Sequence, residues 1–175
     1  MGEQQTVARL LAIWIQSLPE LTNQEMPALL AWLEGIAELN PDSSYPLFLA
    51  GRVLGFGNTT QQKQLYGFVE RRFRQNPEKF WSELAYVAVN ARHGLNDMVL
   101  AQKYAHALVR NTPPNVLPPW ARQLEALLLT DMGHLQQAQM LVGAMINDGL
   151  VTDPAEIKYL NEWLIWLQEN DNNNQ

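Results

Sequence analysis

The chain has 175 residues, 47% of them hydrophobic, enough for one domain that buries a sizeable core without covalent staples. It contains no Cys, which excludes thiol catalysis, thiolate metal sites and disulfide scaffolds and leaves the redox compartment open. Lys and Arg number 12 against 18 Asp and Glu, and a formal charge of −6 argues against nucleic acid as a partner.

Val7, Leu10, Leu11, Trp14 and Leu18 form the stripe of an amphipathic helix and predict a capping helix over 4–18. Arg9 and Gln16 interrupt this stretch. It falls short of the ~20 apolar residues of a spanning helix and lacks the basic start and cleavage site of a signal peptide. Thr22-Asn23-Gln24-Glu25 has the pattern of a capping box opening the next helix. From there the chain repeats itself. Glu38-Leu39-Asn40-Pro41, Arg74-Gln75-Asn76-Pro77 and Arg110-Asn111-Thr112-Pro113 set three prolines 36 residues apart, each ending a helix that it cannot continue. Ahead of each proline, at the same offsets, stand Leu29 and Leu33, Leu65 and Val69, Ala101 and Ala105, one helical face in every unit. An aromatic, Tyr45, Trp81 or Trp120, follows each proline and opens the next apolar segment.

Gly57-Asn58, Gly94 and Gly133 mark turns inside the units, and no segment shows the period-2 alternation of a strand. The expected fold is all-α: antiparallel helix pairs stacked as a short right-handed solenoid, capped by helices at both ends. A single domain spans 1–168, with units 22–41, 42–77, 78–113 and 117–150 and capping helices 4–18 and 154–168. Asp153-Pro154-Ala155-Glu156 supplies the last helix with a cap, a first-turn proline and an acid at its positive end. In that helix Ile157, Leu160, Leu164 and Leu167 make one stripe, and Tyr159, Trp163 and Trp166 a neighbouring one. The polar tail 169–175 is expected to be disordered.

From about Thr22 to Leu150 the chain resembles tetratricopeptide repeats, whose pattern runs Trp-x2-Leu-Gly-x2-Tyr, then Ala-x3-Phe, then Pro. Trp81-Ser82-Glu83-Leu84-Ala85 matches the opening, with Ala for Gly and Ala88 in the Tyr place. Gly133, Ala138 and Val142 match the turn and second helix, and Ala101 and Pro113 keep the spacing of alanine to terminal proline. Trp120 is followed by Leu124 rather than by a leucine three residues on. Gly94 lies seven residues before Ala101 instead of five, and the unit around Leu65 lacks the small alanine. The whole length is also similar to bacterial proteins with tetratricopeptide-like domains, often tethered to the inner membrane.

The resemblance implies a noncatalytic protein–protein interaction or scaffold domain of a bacterial assembly, located in the cytoplasm or at the inner membrane, with the periplasm still open. In such repeats the first helix of each pair lines a concave groove, which nominates Arg52, Tyr86, Asn90, Gln123 and Thr130 as groove-facing. The expected partner is a protein. Peripheral or tethered membrane association and homodimerisation both stay open.

Residue patterns for chemistry are sparse. The sequence holds no His-Glu-x-x-His pair, Gly-x-Ser-x-Gly elbow or Walker loop, so no enzyme, cofactor or metal is expected. Gly51 to Gly57 is glycine-rich but follows no strand, which points to close helix packing and a turn rather than a phosphate cradle. His93 and His134 adjoin successive turn glycines and would share one edge of a solenoid. The alternative to an interaction domain, an all-α ligand- or metal-binding or enzymatic domain, would use that edge. His106 stands alone in a helix, and Glu34 with Glu38, and Asp131 near His134, lack a convergent third group.

Trp14, Trp32, Trp81 and Trp120 lie on apolar stripes and are expected in the core. Tyr159, Trp163 and Trp166 either cover the end of the solenoid or form an interface, homodimeric or with a partner. Charge is uneven: −5 over 1–49, +5 over 50–125 and −6 over 126–175. Arg71, Arg72, Arg74 and Lys79 concentrate the basic charge and form either a solvated helix face or a patch for an acidic peptide or anionic membrane.

Overall fold

The computed structural model describes residues 6, 9, 10, 13, 22, 24–54 and 58–172. Among them the secondary structure is entirely helical, with no strand. The helices are α1 (Met26–Leu39), α2 (Tyr45–Phe48), α3 (Thr59–Gln75), α4 (Pro77–His93), α5 (Met98–Asn111), α6 (Pro119–Asp131), α7 (Leu135–Asn147) and α8 (Pro154–Asn172). One π-helical turn, Leu49–Val53, continues α2.

The prolines stop the helices where the spacing predicts. Helices α1, α3 and α5 end at Leu39, Gln75 and Asn111, each two residues before its proline and 36 residues after the previous end. The residue between takes a non-helical backbone, Asn40 at φ −141°, Asn76 at φ −148° and Thr112 at φ −103°. The proline ring forbids the helical conformation to the residue before it, so a local steric clash sets all three ends. The start of α3 is equally local. Asn58 Oδ1 accepts from the Gln61 backbone N–H, and Gln61 Oε1 accepts from the Asn58 N–H, a closed capping box. Thr22 and Glu25 depart from the expected box: the Thr22 N–H and hydroxyl both donate to Glu25 Oε2, and the helix begins only at Met26. Gly133, at φ +76°, closes the turn between α6 and α7 in a conformation that disfavours any side chain.

The chain forms two compact units, residues 1–87 and 88–175, dividing within α4. In the first, α1, α2 and α3 contact one another, and the π turn contacts α2 and α3. The paired positions read from the repeat are all interior, with Leu29 and Leu33, and Leu65 and Val69, at 3% exposure or less. In the second unit α5 packs on α6, α6 on α7 and α7 on α8. Ala101 and Ala105 are fully buried there. A core of Leu129, Ala138, Val142, Leu160 and Leu167 takes Ile157, Trp163 and Leu164 against its margin.

Three expectations need correction. Trp32 and Trp120 are 45% and 49% exposed, not core. The buried face of α1 is Met26, Leu29, Leu33, Ile36 and Ala37, which leaves Trp32 on its flank, while Trp120 sits in the first turn of α6, where side chains tilt back past the helix start. Leu10 is 61% exposed; Val7, Leu11, Trp14 and Leu18 lie outside the described residues. The last helix runs past 168 to Asn172, its end supported by Asn170 Nδ2 donating to the Trp166 carbonyl, whereas 173–175 lie outside the described residues.

Leu65→Ala is expected to lower the unfolding free energy by about 2–5 kcal/mol, because the cavity it leaves is closed on every side. Val99→Ala, at a position 71% exposed, should stay within about 0.5 kcal/mol of wild type. Urea unfolding of the two variants checks the contrast.

Candidate functional site

Tyr45, Phe48 and Arg52 follow one another at helical spacing along α2 and the π turn. The Tyr45 and Phe48 rings stack with centroids 6.0 Å apart and planes within 10°. The Arg52 guanidinium carbon lies 5.7 Å from the Phe48 centroid and 4.2 Å from that of Tyr86 on α4, the range of a cation–π contact. The wide turn is closed by the Leu54 N–H donating to the Leu49 carbonyl at 2.8 Å. Gly51 lies close to α4: a Cβ there would stand 3.4 Å from Val87 Cγ2, in van der Waals contact. π-helical turns recur at functional sites, where the extra residue re-aims a side chain.

Behind the guanidinium stands Glu83, its side chain 10% exposed, with Oε2 3.4 Å from Arg52 Nε. Both atoms are buried and neither makes a hydrogen bond, so the contact is one of charge. The outer nitrogens of Arg52 have no acceptor among the described residues, and the side chain is 37% exposed. Tyr45 is also a wall of a cavity of about 390 Å³ that includes Ile36, Asn40, Ser43, Pro46 and Arg9.

Two of the five groove nominees, Arg52 and Tyr86, therefore meet in the first unit. In the second, Asn90 is half-buried and its carbonyl accepts from the Gly94 and Leu95 N–H groups. Gln123 is buried, with Nε2 donating to Glu156 Oε1, and the Thr130 hydroxyl donates back to the Ala126 carbonyl. Their polar groups are engaged inside the fold rather than held out to a ligand. Glu83, Tyr45 and Phe48 were not nominated. The helical spacing of 45, 48 and 52 was the available signal, but the π turn that brings Arg52 onto Tyr86 has no sequence signature.

The basic patch is paired internally. Arg71 Nη2 meets Glu34 Oε1 at 3.1 Å, Arg74 meets Glu70 at 2.8 Å and Lys79 Nζ meets Asp42 Oδ1 at 2.7 Å. Arg72 is no solvated residue: it is 7% exposed and donates to the Ala37 carbonyl at 3.3 Å. That carbonyl belongs to the last turn of α1, whose free acceptors and negative end favour a cation.

His93 and His134 are both exposed, and no group of three His, Asp or Glu side chains among the described residues could hold a metal ion. Asp131 pairs with Arg92 rather than with His134. His106 is not alone: its Nδ1 lies 2.6 Å from Oε1 of the buried Glu125 on α6. Tyr159 and Trp166 are 48% and 47% exposed, while Trp163 packs against the core with its ring 6.1 Å from Tyr159. Among the described residues no helix is long and apolar enough to cross a membrane. Comparison with protein-family models, curated proteins and solved structures finds no match to this chain.

Lys79 holds the Asp42 carboxyl below the ordinary aspartate value, through its hydrogen bond first and its charge second. A depressed value means that the pair stabilises the fold above the unfolded-state titration and that this contribution disappears as pH falls through the native one. The carboxyl carbon shift of Asp42, followed by NMR, should titrate below that of an unstructured aspartate, and Lys79→Gln should return it upward.

Proposed function

We propose that this chain is a noncatalytic protein–protein interaction or scaffold domain of the tetratricopeptide-like kind, a short right-handed solenoid of antiparallel helix pairs. It belongs to a bacterial assembly and binds a protein partner at the Arg52–Tyr86 face of its first unit. The observation that carries the repeat is the 36-residue recurrence of helix ends at Leu39, Gln75 and Asn111, with the matching pairs of side chains buried each time. Stacked units of this kind present extended surfaces, and binding is then the activity.

Support for the binding face comes from its composition. Two stacked rings and a guanidinium, all about one-third exposed, stand together at Tyr45, Phe48 and Arg52, the residue types enriched at interfaces. A second reading, homodimerisation through α8, has its own observation in the exposed Tyr159, Ile165 and Trp166.

Immobilised wild type and Tyr86→Ala, incubated with native membranes and cytosol, separate these readings. The proposal expects a partner retained by wild type and lost from Tyr86→Ala. Retention of the same partner by both forms contradicts the proposed face. A shift of the wild-type sedimentation mass to a dimer, abolished by Trp166→Glu, would move the interface to α8.

A further inference from the structure

We infer that the Arg52 cluster binds a carboxylate of an acidic protein segment and that an apolar side chain of the same segment enters the cavity beside Tyr45. This rests on the interaction reading above and names the chemistry of its partner.

The guanidinium is oriented for it. Nε turns inward, 3.4 Å from the buried Oε2 of Glu83, while the two outer nitrogens have no acceptor among the described residues. A planar fork with two outward donors matches the two oxygens of a carboxylate, a fit that a lysine ammonium does not offer. Glu83, nine-tenths buried and without a hydrogen bond at Oε2, holds the cation from inside and leaves the outer side as the direction of approach.

The fork is also held before any ligand arrives. Contact with Tyr86 at 4.2 Å and Phe48 at 5.7 Å fixes a side chain that would otherwise sample many rotamers, so its ordering entropy is lost on folding rather than on binding. The nearby cations offer no rival, because Arg71, Arg74 and Lys79 already meet Glu34, Glu70 and Asp42, and Arg72 is buried.

The spacing of the partner's residues follows from the same geometry. Tyr45 walls the cavity, its ring stacks on Phe48 at 6.0 Å, and Phe48 lies 5.7 Å from the guanidinium. The guanidinium and the Tyr45 ring that walls the cavity are thus at most about 12 Å apart, the reach of about three or four extended residues. The segment carries an apolar side chain about two to four positions from an Asp, a Glu or a chain terminus. Arg9 in the cavity wall adds positive charge on that side.

A library of short random peptides, displayed with free and with amidated C-termini, is selected on the full-length chain. The expected set is enriched in carboxylates at the stated distance from Leu, Ile, Phe or Trp. Enrichment in both forms identifies a side-chain carboxylate, and enrichment confined to the free form identifies a terminal one. A selected peptide, titrated by fluorescence anisotropy, is displaced by acetate and not by acetamide. It loses affinity about tenfold or more on Arg52→Lys, which keeps the charge but not the fork. The double variant Arg52→Gln with Glu83→Gln should show the same loss and strands no buried carboxylate; a cooperative melt near wild type accompanies each comparison. Peptides retained without a carboxylate, or held equally by both variants, overturn this inference and leave the interaction reading standing. A library from which nothing is retained above the bare surface overturns both.

Discussion

Arg71, Arg72 and Lys79 reach back about one period along the chain, to Glu34, the Ala37 carbonyl and Asp42. The reach begins with a steric constraint. Pro41 and Pro77 end α1 and α3 at equivalent places, which leaves the last carbonyls of α1 without helical partners and the acids Glu34 and Asp42 beside them. Cations near the end of α3 and the start of α4 then meet that negative end. Glu34 and Asp42, from outside 50–125, in this way offset two of the five excess positive charges there, and Arg74 meets Glu70 within it. Arg52 is left with its outer nitrogens presented to solvent.

Magnitudes decide what these pairs do. An exposed ion pair contributes about 0–1 kcal/mol, whereas burying one Leu or Phe contributes about 1.5–3 kcal/mol. Leu33, Leu65, Phe68, Val69 and Phe73 therefore hold the unit together, and the pairs at Glu34 and Asp42 set register and dispose of charge. Arg72 differs because it is interior. Removing it would uncover a helix-end carbonyl as well as an apolar stem, and its loss should be felt as a packing change rather than as a change of surface charge.

What was legible in the sequence was what is local. A proline acts on the residue before it, so three helix ends could be placed from spacing alone, and the side chains at fixed offsets from each proline proved to be interior. What was hidden depends on partners far along the chain. His106 finds Glu125 19 residues on, and Glu34 finds Arg71 37 residues on, and neither distance follows from a helical wheel. Trp32 and Trp120 sit close enough to their apolar stripes to look interior, but a stripe has a margin, and packing settles which side of it a large ring occupies. Arg52 and Tyr86 were nominated through a resemblance and do meet; Glu83 was missed because a buried acid reads like a surface one. Gln123 and Thr130 show the reverse, polar side chains suited to a groove that the fold uses for its own hydrogen bonds.

The commitment of the basic residues to the preceding period is tested most directly by charge reversal at Glu34 and Arg71, with unfolding free energies measured for the four combinations. Glu34→Arg and Arg71→Glu should each destabilise the chain, and the double variant should recover part of the loss, with a coupling of about 0.2–1 kcal/mol at low salt that fades as salt is added. Strictly additive losses, with the double variant as unstable as both singles together, would contradict the pairing. Glu34 and Arg71 would then be two solvated charges that contribute nothing to holding α3 on α1.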